Sequence, residues 1–475
     1  MADSTSPPRR ASSPQAETFD VVVIGSGPGG YRAGIRCAQR GATAAIIEKG
    51  EIGGVCLNRG CIPSKALLAS AGVLLQARNA GALGVDIPSV SPNWAKIQER
   101  KDAIVGGLRK GMVGPLQAKK VKIFAGVATA TSPKAVLVEP GRAELNASGS
   151  TLLTAGKGII IATGSVPAEV PALAFDNQTI ISSTEALCLQ TIPRSMVVVG
   201  GGIIGCELAC VYAALGTKVT IVEALERIIN TEDKWVSRLL VRELKKLGID
   251  IMTGRKVVSV DASTGVAKVA VDDGKIIDAE KVLVAVGRTA TCDKQTINNL
   301  QLQTNGSAIK VDDRMQTNVP GVYAVGDVVG TTYLAHGAFA EAEVAAENIL
   351  GGNVRMTDYS LIPRVVYTFP EIASVGKTED RCAKEGIDIA VGRGFFKANG
   401  RSVAHNETTG EIRVVRDKAT DKILGVTMVG ANVTELISAA RLLIGSTERF
   451  HDVSFPHPTV SEVLKDAWEA AFGGE

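Results

Sequence analysis

The sequence predicts an α/β protein in which two βαβ dinucleotide-binding domains precede a C-terminal α+β domain. Three observations predict it. A glycine-rich strand–turn–helix pattern starting at Asp20 occurs again from Ser195. Further apolar strands each end in a glycine turn. From about Tyr359 the texture changes to short alternating strands and two helical stretches.

The chain is long enough to support these domains: 475 residues, 45% apolar and 21% charged. That composition buries large cores and excludes wholesale disorder. Fifty-one residues are glycine, above the usual ~7% and without a collagen period, so the excess belongs in turns. Aromatics at 4% argue against stacking platforms for single-stranded nucleic acid. A net charge of +3 leaves no electrostatic footprint for nucleic acid or an anionic membrane. No apolar run reaches the roughly 18 residues of a bilayer span, so no membrane span is expected; the longest are Met196 to Cys206 and Ala66 to Leu75. Residues 1–18, rich in Ser and Pro, read as a flexible tail rather than a secretory signal or transit peptide. Eight cysteines in a chain this long suit a reducing compartment. The expectation is cytoplasmic, with an organelle matrix or stroma left open.

The first copy of the repeat is D-V-V-V-I-G-S-G-P-G-G, Asp20 to Gly30; the second is S-M-V-V-V-G-G-G-I-I-G, Ser195 to Gly205. Gly25, Gly27 and Gly30 map onto Gly200, Gly202 and Gly205. Gly41 maps onto Gly216, and Glu48 onto Glu223. Each copy reads as strand, glycine turn, helix, glycine break, second strand (Thr43 to Glu48; Lys218 to Glu223) and terminal acid. The first glycine allows a tight turn, the second lets backbone approach a pyrophosphate, and the third lets helix pack on strand. The pyrophosphate then sits at the positive helix end, and the acid accepts from a ribose 2′-hydroxyl. A glycine turn alone is often only a turn, but here both copies carry the full context. Two Rossmann-like folds imply two dinucleotides and electron transfer between them.

Later segments fit around this frame. Gly158 to Ser165 and Val282 to Arg288 are buried strands ending in glycine turns, and Gly321 to Asp327 is a strand with an acid at its end. Gly410 to Val415 and Ile423 to Val429 alternate as strands of the third domain.

Between the first fold and the next helix lies G-G-V-C-L-N-R-G-C-I-P-S-K, Gly53 to Lys65. Residues five apart in an ideal α-helix have Cα atoms about 8.6 Å apart, whereas a disulfide needs roughly 4.4–6.8 Å. Bridging Cys56 and Cys61 therefore requires a bend, for which Asn58 and Gly60 provide. Pro63 favours a helix start just after the pair, which would set Cys61 near a positive helix end and stabilise a thiolate. Two buried thiols, part of a zinc site and a structural disulfide compete with a redox-active pair. Zinc would want C-x2-4-C and two further ligands, and no metal is expected. A loop this short stabilises little. The position one element after a nucleotide fold favours the redox-active pair.

At this point the sequence resembles the pyridine nucleotide–disulfide oxidoreductases, over about residues 19 to 472. The resemblance rests on C-L-N-R-G-C-I-P-S-K, the A-T-G turn at Ala162, Thr163 and Gly164, and G-G-G-I-I-G-C-E at Gly200 to Glu207. It extends through G-V-Y-A-V-G-D at Gly321 to Asp327, L-A-H at Leu334, Ala335 and His336, and H-P-T-V-S-E at His457 to Glu462. It implies FAD in the first fold and NAD in the second. Asp327 would bind the flavin ribityl chain, and Leu334 to His336 would line the pyrimidine edge. Lys65 would lie by the flavin and pair with Glu207, with Gly126 and Gly287 completing the cofactor set. The implied domains are a tail at 1–18, an FAD domain at 19–161 and 288–354, an NAD domain at 162–287, and a dimerisation domain at 355–475.

Thiol–disulfide exchange needs a base near neutrality, and the chain has four histidines. His336 falls in the flavin-lining segment, His405 reads as a solvated turn, and His451 as exposed. His457, between two prolines, is the base by resemblance, oriented by Glu462 and facing the disulfide of a second subunit in a homodimer. Phe455 departs from the family, which often has a second histidine there. The resemblance implies oxidation of dihydrolipoyl groups with NAD+ as acceptor. With no lipoyl domain expected at the N-terminus, the lipoyl arm would come on separate proteins of 2-oxoacid dehydrogenase complexes or the glycine cleavage system. Glutathione or mercuric reductase activity is the alternative, against which stand Glu223 and the lack of cysteines beyond Cys382. A flavin-bound subunit without turnover is the other. Arg227, four residues past Glu223, is the nearby group expected to soften rejection of NADP+.

Overall fold

The computed structural model describes residues 15–141, 149–263, 265–356, 358–447 and 453–473. His451 and residues 1–14 of the expected tail lie outside these. The chain divides into two compact units: Met1–Asn58, Val105–Val166 and Arg288–Met356, and Arg59–Ile104, Pro167–Gly287 and Thr357–Glu475.

The first unit is built on a seven-stranded sheet. Gln15–Ile24 lies between the parallel strands Ala44–Glu48 and Thr151–Ile161. Residues 15–18, expected in the tail, open this first strand and pair with Thr151 to Thr154. Thr151–Ile161 pairs antiparallel with Ala135–Glu139 at its start and parallel with Val322–Ala324 at its end. Burial on both faces explains its apolar run. Val21, Val23, Ile46 and Ile160 face helices Pro28–Gln39 and Ala335–Ile349 through Ala33, Cys37, Ala342 and Ala345. Val22, Ile24, Ile47, Ile159 and Ile161 face the opposite core, the period-2 alternation of a strand covered on both sides.

The second unit contains a parallel five-stranded sheet in the order Asp250–Thr253, Lys218–Glu223, Ser195–Val199, Lys281–Val284, Ile180–Ile181. It also contains an antiparallel five-stranded sheet, in the order Arg364–Val366, Glu371–Gly376, Ile423–Gly430, Glu411–Asp417, Ile389–Phe395. Helices Val433–Leu443 and Ser461–Ala471 share that sheet's core through Val433, Ile437, Leu464 and Trp468.

One helix here has the size of a membrane span, and one expectation is corrected. The helical stretch Gly54–Arg78 has the length and mean hydropathy of a membrane span, although no apolar run in the sequence is that long. It is broken at Gly60 (φ −148°, ψ −111°). Its residues Leu67, Leu68 and Leu74 are buried against Leu208 and Tyr212 in the core of the second unit. The helix expected after the cysteine pair begins at Cys61 itself and runs to Arg78. Pro63 is then its third residue, where a missing N–H is still one of the four orphan donors of a helix start.

Candidate active site

The two glycine loops have the same geometry. Gly25 has φ +100°, and a Cβ there would lie 2.4 Å from the Ala162 carbonyl oxygen; Gly200 has φ +108°, and a Cβ would lie 2.5 Å from that of Ala285. A Cβ at Gly30 would lie 1.9 Å from the Gly25 oxygen, and one at Gly205 2.1 Å from the Gly200 oxygen. Gly27 and Gly202, the N-caps of helices Pro28–Gln39 and Ile203–Ala214, instead have nothing within 4 Å of a built Cβ. Open space over a helix N-terminus fits a pyrophosphate in each fold.

The terminal acids turn back onto their loops. Glu48 accepts from the Ser26 N–H and hydroxyl (2.9 and 2.6 Å) and the Gly50 N–H (2.9 Å). Glu223 accepts from the N–H groups of Gly201 (2.6 Å) and Leu225 (2.7 Å). Gly126, at φ +153°, donates its N–H to the Glu48 carbonyl at 2.9 Å. Thr163 donates to the Thr291 carbonyl at 2.6 Å, and Gly164 accepts from the Thr291 N–H at 3.0 Å. Asp327 accepts from the Ser165 hydroxyl, which Arg288 Nε contacts at 2.7 Å. Leu334 caps helix Ala335–Ile349, placing Ala335 and His336 in its first turn. Gly287, at φ +137°, accepts from the Ala168 N–H at 3.0 Å.

Cys56 rides on the short helix Gly54–Arg59, which starts against the first glycine loop: a Cβ at Gly54 would lie 2.7 Å from the Gly27 Cα. Gly53 N–H donates to the Ser26 hydroxyl at 3.1 Å. Asn58 Nδ2 donates to the carbonyls of Ile52 and Gly54, both at 2.9 Å, and its Oδ1 accepts from Arg109 at 2.9 Å. Burial, and then the charge at Cys56, push the Tyr31 phenol above its ordinary value. Cys61 is the first residue of the following helix and is exposed, at the positive end that stabilises a thiolate.

Within the second unit, Lys65 Nζ donates to Glu207 Oε2 at 2.7 Å. Glu207 is 4% exposed, so its charge needs both oxygens satisfied. Its Oε1 accepts the Tyr367 N–H at 3.0 Å, and Lys65 Nζ lies 4.4 Å from the centre of the Tyr367 ring. No periodicity or motif marks Tyr367, and the glycine turns that end at Ser165 and Arg288 did not reveal their pairing with Asp327.

His457 Nδ1 lies 2.9 Å from Glu462 Oε1, and Glu462 Oε2 accepts the Thr459 N–H at 2.9 Å. The Thr459 N–H, and then His457, hold the Glu462 carboxyl below the usual range. This pairing leaves Nε2 as the nitrogen for proton exchange. His405 is an exposed helix C-cap, as expected. Arg227, expected to soften rejection of NADP+, has its guanidinium paired with Asp380 at 3.1 Å and donates to the Asn230 carbonyl at 3.1 Å.

Residues 19–342 match the pyridine nucleotide-disulphide oxidoreductase family, and residues 362–468 match its dimerisation domain. The chain belongs to this family. A dihydrolipoyl dehydrogenase of Bacillus subtilis (strain 168) is 39% identical over 469 residues, covering 96% of this chain and 99% of the relative. The mitochondrial dihydrolipoyl dehydrogenase 1 of Arabidopsis thaliana is 39% identical over 475 residues, covering 98% and 92%. Among solved structures, LpdA from Mycobacterium tuberculosis has a TM-score of 0.87 at 22% identity, covering 96% of this chain and 99% of that one. That likeness speaks to the fold.

Proposed function

We propose that this chain oxidises dihydrolipoyl groups carried on separate proteins and passes their electrons to NAD+, the activity of a dihydrolipoyl dehydrogenase. The observation that carries the reading is the His457–Glu462 pair at 2.9 Å in a chain that also holds Cys56 and Cys61 on successive helix starts. A subunit without turnover has no need of an oriented imidazole.

His457 takes a proton from the substrate dithiol. The resulting thiolate attacks Cys56 Sγ, the Cys56–Cys61 bond breaks, and Cys61 leaves as a thiolate. The second substrate thiol then displaces Cys56, releasing the cyclic disulfide, and Cys56 takes a proton. FAD, when bound, would supply the two-electron acceptor between the cysteine pair and NAD+. Gly25, Gly27, Gly30 and Glu48 would hold its adenosine half and Asp327 its ribityl chain, and the Lys65 ammonium would offset negative charge gained on reduction. Gly200, Gly202, Gly205 and Glu223 hold NAD+, with Glu207 keeping Lys65 in place.

Residues 362–468 match a dimerisation domain, and we assign the working form to a homodimer in which His457 serves the partner's cysteines. The lipoyl carriers are those of 2-oxoacid dehydrogenase complexes or the glycine cleavage system. We place the protein in a reducing compartment, the cytoplasm or an organelle matrix. Its thiols at Cys37 and Cys210 are buried, and burial pushes both up to about 12, so they stay inert.

The test is NADH formation from dihydrolipoamide by the purified protein, with heat-released flavin identified by chromatography. His457→Gln should cut turnover by ~10²–10⁴-fold and leave flavin content unchanged. Absence of FAD, or equal turnover with glutathione and NADPH, would sink the reading.

A further inference from the structure

The turn that ends the second nucleotide fold has a cation on each side. Arg227 lies four residues beyond Glu223. Arg255 follows the neighbouring strand, where Thr253 is the register partner of Glu223. The Arg255 N–H donates to the Glu223 carbonyl at 3.0 Å, and the Gly254 N–H to that of Leu225 at 2.7 Å. Two arginines beside an adenosine ribose would ordinarily form a 2′-phosphate site, because guanidinium binds phosphate with charge-assisted, often bidentate hydrogen bonds.

Each arginine is instead held by an aspartate from elsewhere in the unit. Arg227 Nη1 sits 3.1 Å from Asp380 Oδ2, and Arg255 Nε 3.3 Å from Asp273 Oδ2. Both aspartates are fixed from behind. Asp380 donates its N–H to Asp233 at 2.9 Å, and its Oδ2 also accepts the Lys234 N–H at 3.2 Å. Asp273 accepts the Lys275 N–H at 3.0 Å, and the neighbouring Asp272 N–H binds the Lys256 carbonyl at 2.9 Å. A phosphate would have to share each guanidinium with an aspartate that already offsets its charge.

We propose that Asp380 and Asp273 are specificity-determining residues for the nicotinamide nucleotide, acting by sequestering Arg227 and Arg255. Rejection of NADP+ then has two sources: repulsion by Glu223, and the removal of the two cations that would otherwise answer it. A latent 2′-phosphate site lies beside the ribose pocket. This rests on the second fold binding NAD+, as proposed above.

The experiment uses the FAD-loaded enzyme and two fragments, 5′-AMP and 2′,5′-ADP, titrated by calorimetry. Asp380→Asn keeps an oxygen for the Lys234 N–H while removing the charge, and Asp273→Asn does the same beside Lys275. Each should tighten 2′,5′-ADP by up to about fivefold, the scale of a partly exposed ion pair. The gains should multiply in the double variant if the sites are independent. Affinity for 5′-AMP should stay within about twofold, because no 2′-phosphate is involved. Adding Arg227→Ala and Arg255→Ala to the double variant should return 2′,5′-ADP to the wild-type value. No tightening, equal tightening of both fragments, or a gain that survives loss of the arginines would overturn the proposal. A wild-type enzyme that forms NADH but shows any of those results defeats this inference alone. One that binds neither 5′-AMP nor NAD+ defeats the parent reading and this one with it.

Discussion

The two nucleotide folds share a loop and differ in nearly everything attached to it. Their backbone bonds repeat at a fixed offset. Gly25 donates to Ile47 at 2.8 Å and Gly200 to Val222 at 2.9 Å; Gly41 donates to Ala38 and Gly216 to Ala213, both at 3.0 Å. The helices diverge. Pro28–Gln39 presents Arg32 and Arg36 to Glu343 and Glu347 across a partly exposed surface. Ile203–Ala214 is buried along most of its length, including Cys206, Cys210 and Tyr212. Arg32 and Glu207 occupy equivalent positions, one a solvated cation and the other an anion at 4% exposure. Nucleotide geometry constrains only the turn, so the helix face is left to tertiary context.

The strongest way to break the comparison is at its common point. Gly30→Ala and Gly205→Ala would each drive a Cβ to about 2 Å from a carbonyl oxygen, where backbone must move, so the cost should exceed the usual ~1–3 kcal/mol of overpacking. If the folds are independent, Gly30→Ala yields chains without flavin, while Gly205→Ala stays yellow and loses NAD+ binding. Flavin per chain and nucleotide titration decide this. Equal loss of flavin in both variants would show that the second fold props up the first.

The next test sharpens the contrast between Arg32 and Glu207. Glu207→Ala leaves the Lys65 ammonium and the Tyr367 N–H without their acceptor. With Lys65 one-third exposed, the expected loss is about 2–4 kcal/mol. Arg32→Ala should cost no more than ~1 kcal/mol. All three tryptophans, Trp94, Trp235 and Trp468, lie in the second unit, so denaturation followed by their fluorescence reports the Glu207 effect directly. Similar losses from both variants would mean the burial of Glu207 is not decisive.

The features that were legible in the sequence are those with local causes. Glycines at fixed spacing and the acid after the second strand sit where their spacing implied, whereas the His457–Glu462 pairing, 2.9 Å apart, was implied by the resemblance. The third domain was less legible: two of its five antiparallel strands could be read. Ile389–Phe395 contains Gly392 and Gly394, which suggest a loop. They are glycine because helix Ser461–Ala471 lies directly over the strand, with a Cβ at either position falling within about 2 Å of the Ala467 or Val463 carbonyl. That helix is some 70 residues away in the chain, so no window of sequence contains the reason. The tethering of Arg227 by Asp380 was hidden in the same way, at a separation of 153 residues.

The smallest effect concerns how each acid is tied to its loop. In the first fold the buried Ser26 hydroxyl joins Glu48 to the Gly53 N–H and so anchors the approach to Cys56. The equivalent residue, Gly201, has no side chain, because a Cβ there would lie 2.5 Å from Ile228 Cγ2. Packing by Ile228 replaces the hydroxyl. The exchange should therefore be asymmetric. Gly201→Ser meets a fully buried neighbour and should cost about 1–3 kcal/mol through overpacking, felt in NAD+ affinity. Ser26→Ala changes no shape but orphans the Gly53 N–H, a loss of about 1 kcal/mol. It should appear as faster hydrogen exchange, by roughly fivefold, at amides from Gly53 to Cys56, since exchange there reads local opening. The rest of the first sheet should keep its protection. If exchange rose equally in strand Ala44–Glu48, Ser26 would be supporting the sheet as a whole, and the hydroxyl bridge would not be what distinguishes a loop that must hold a cysteine from one that holds only a nucleotide.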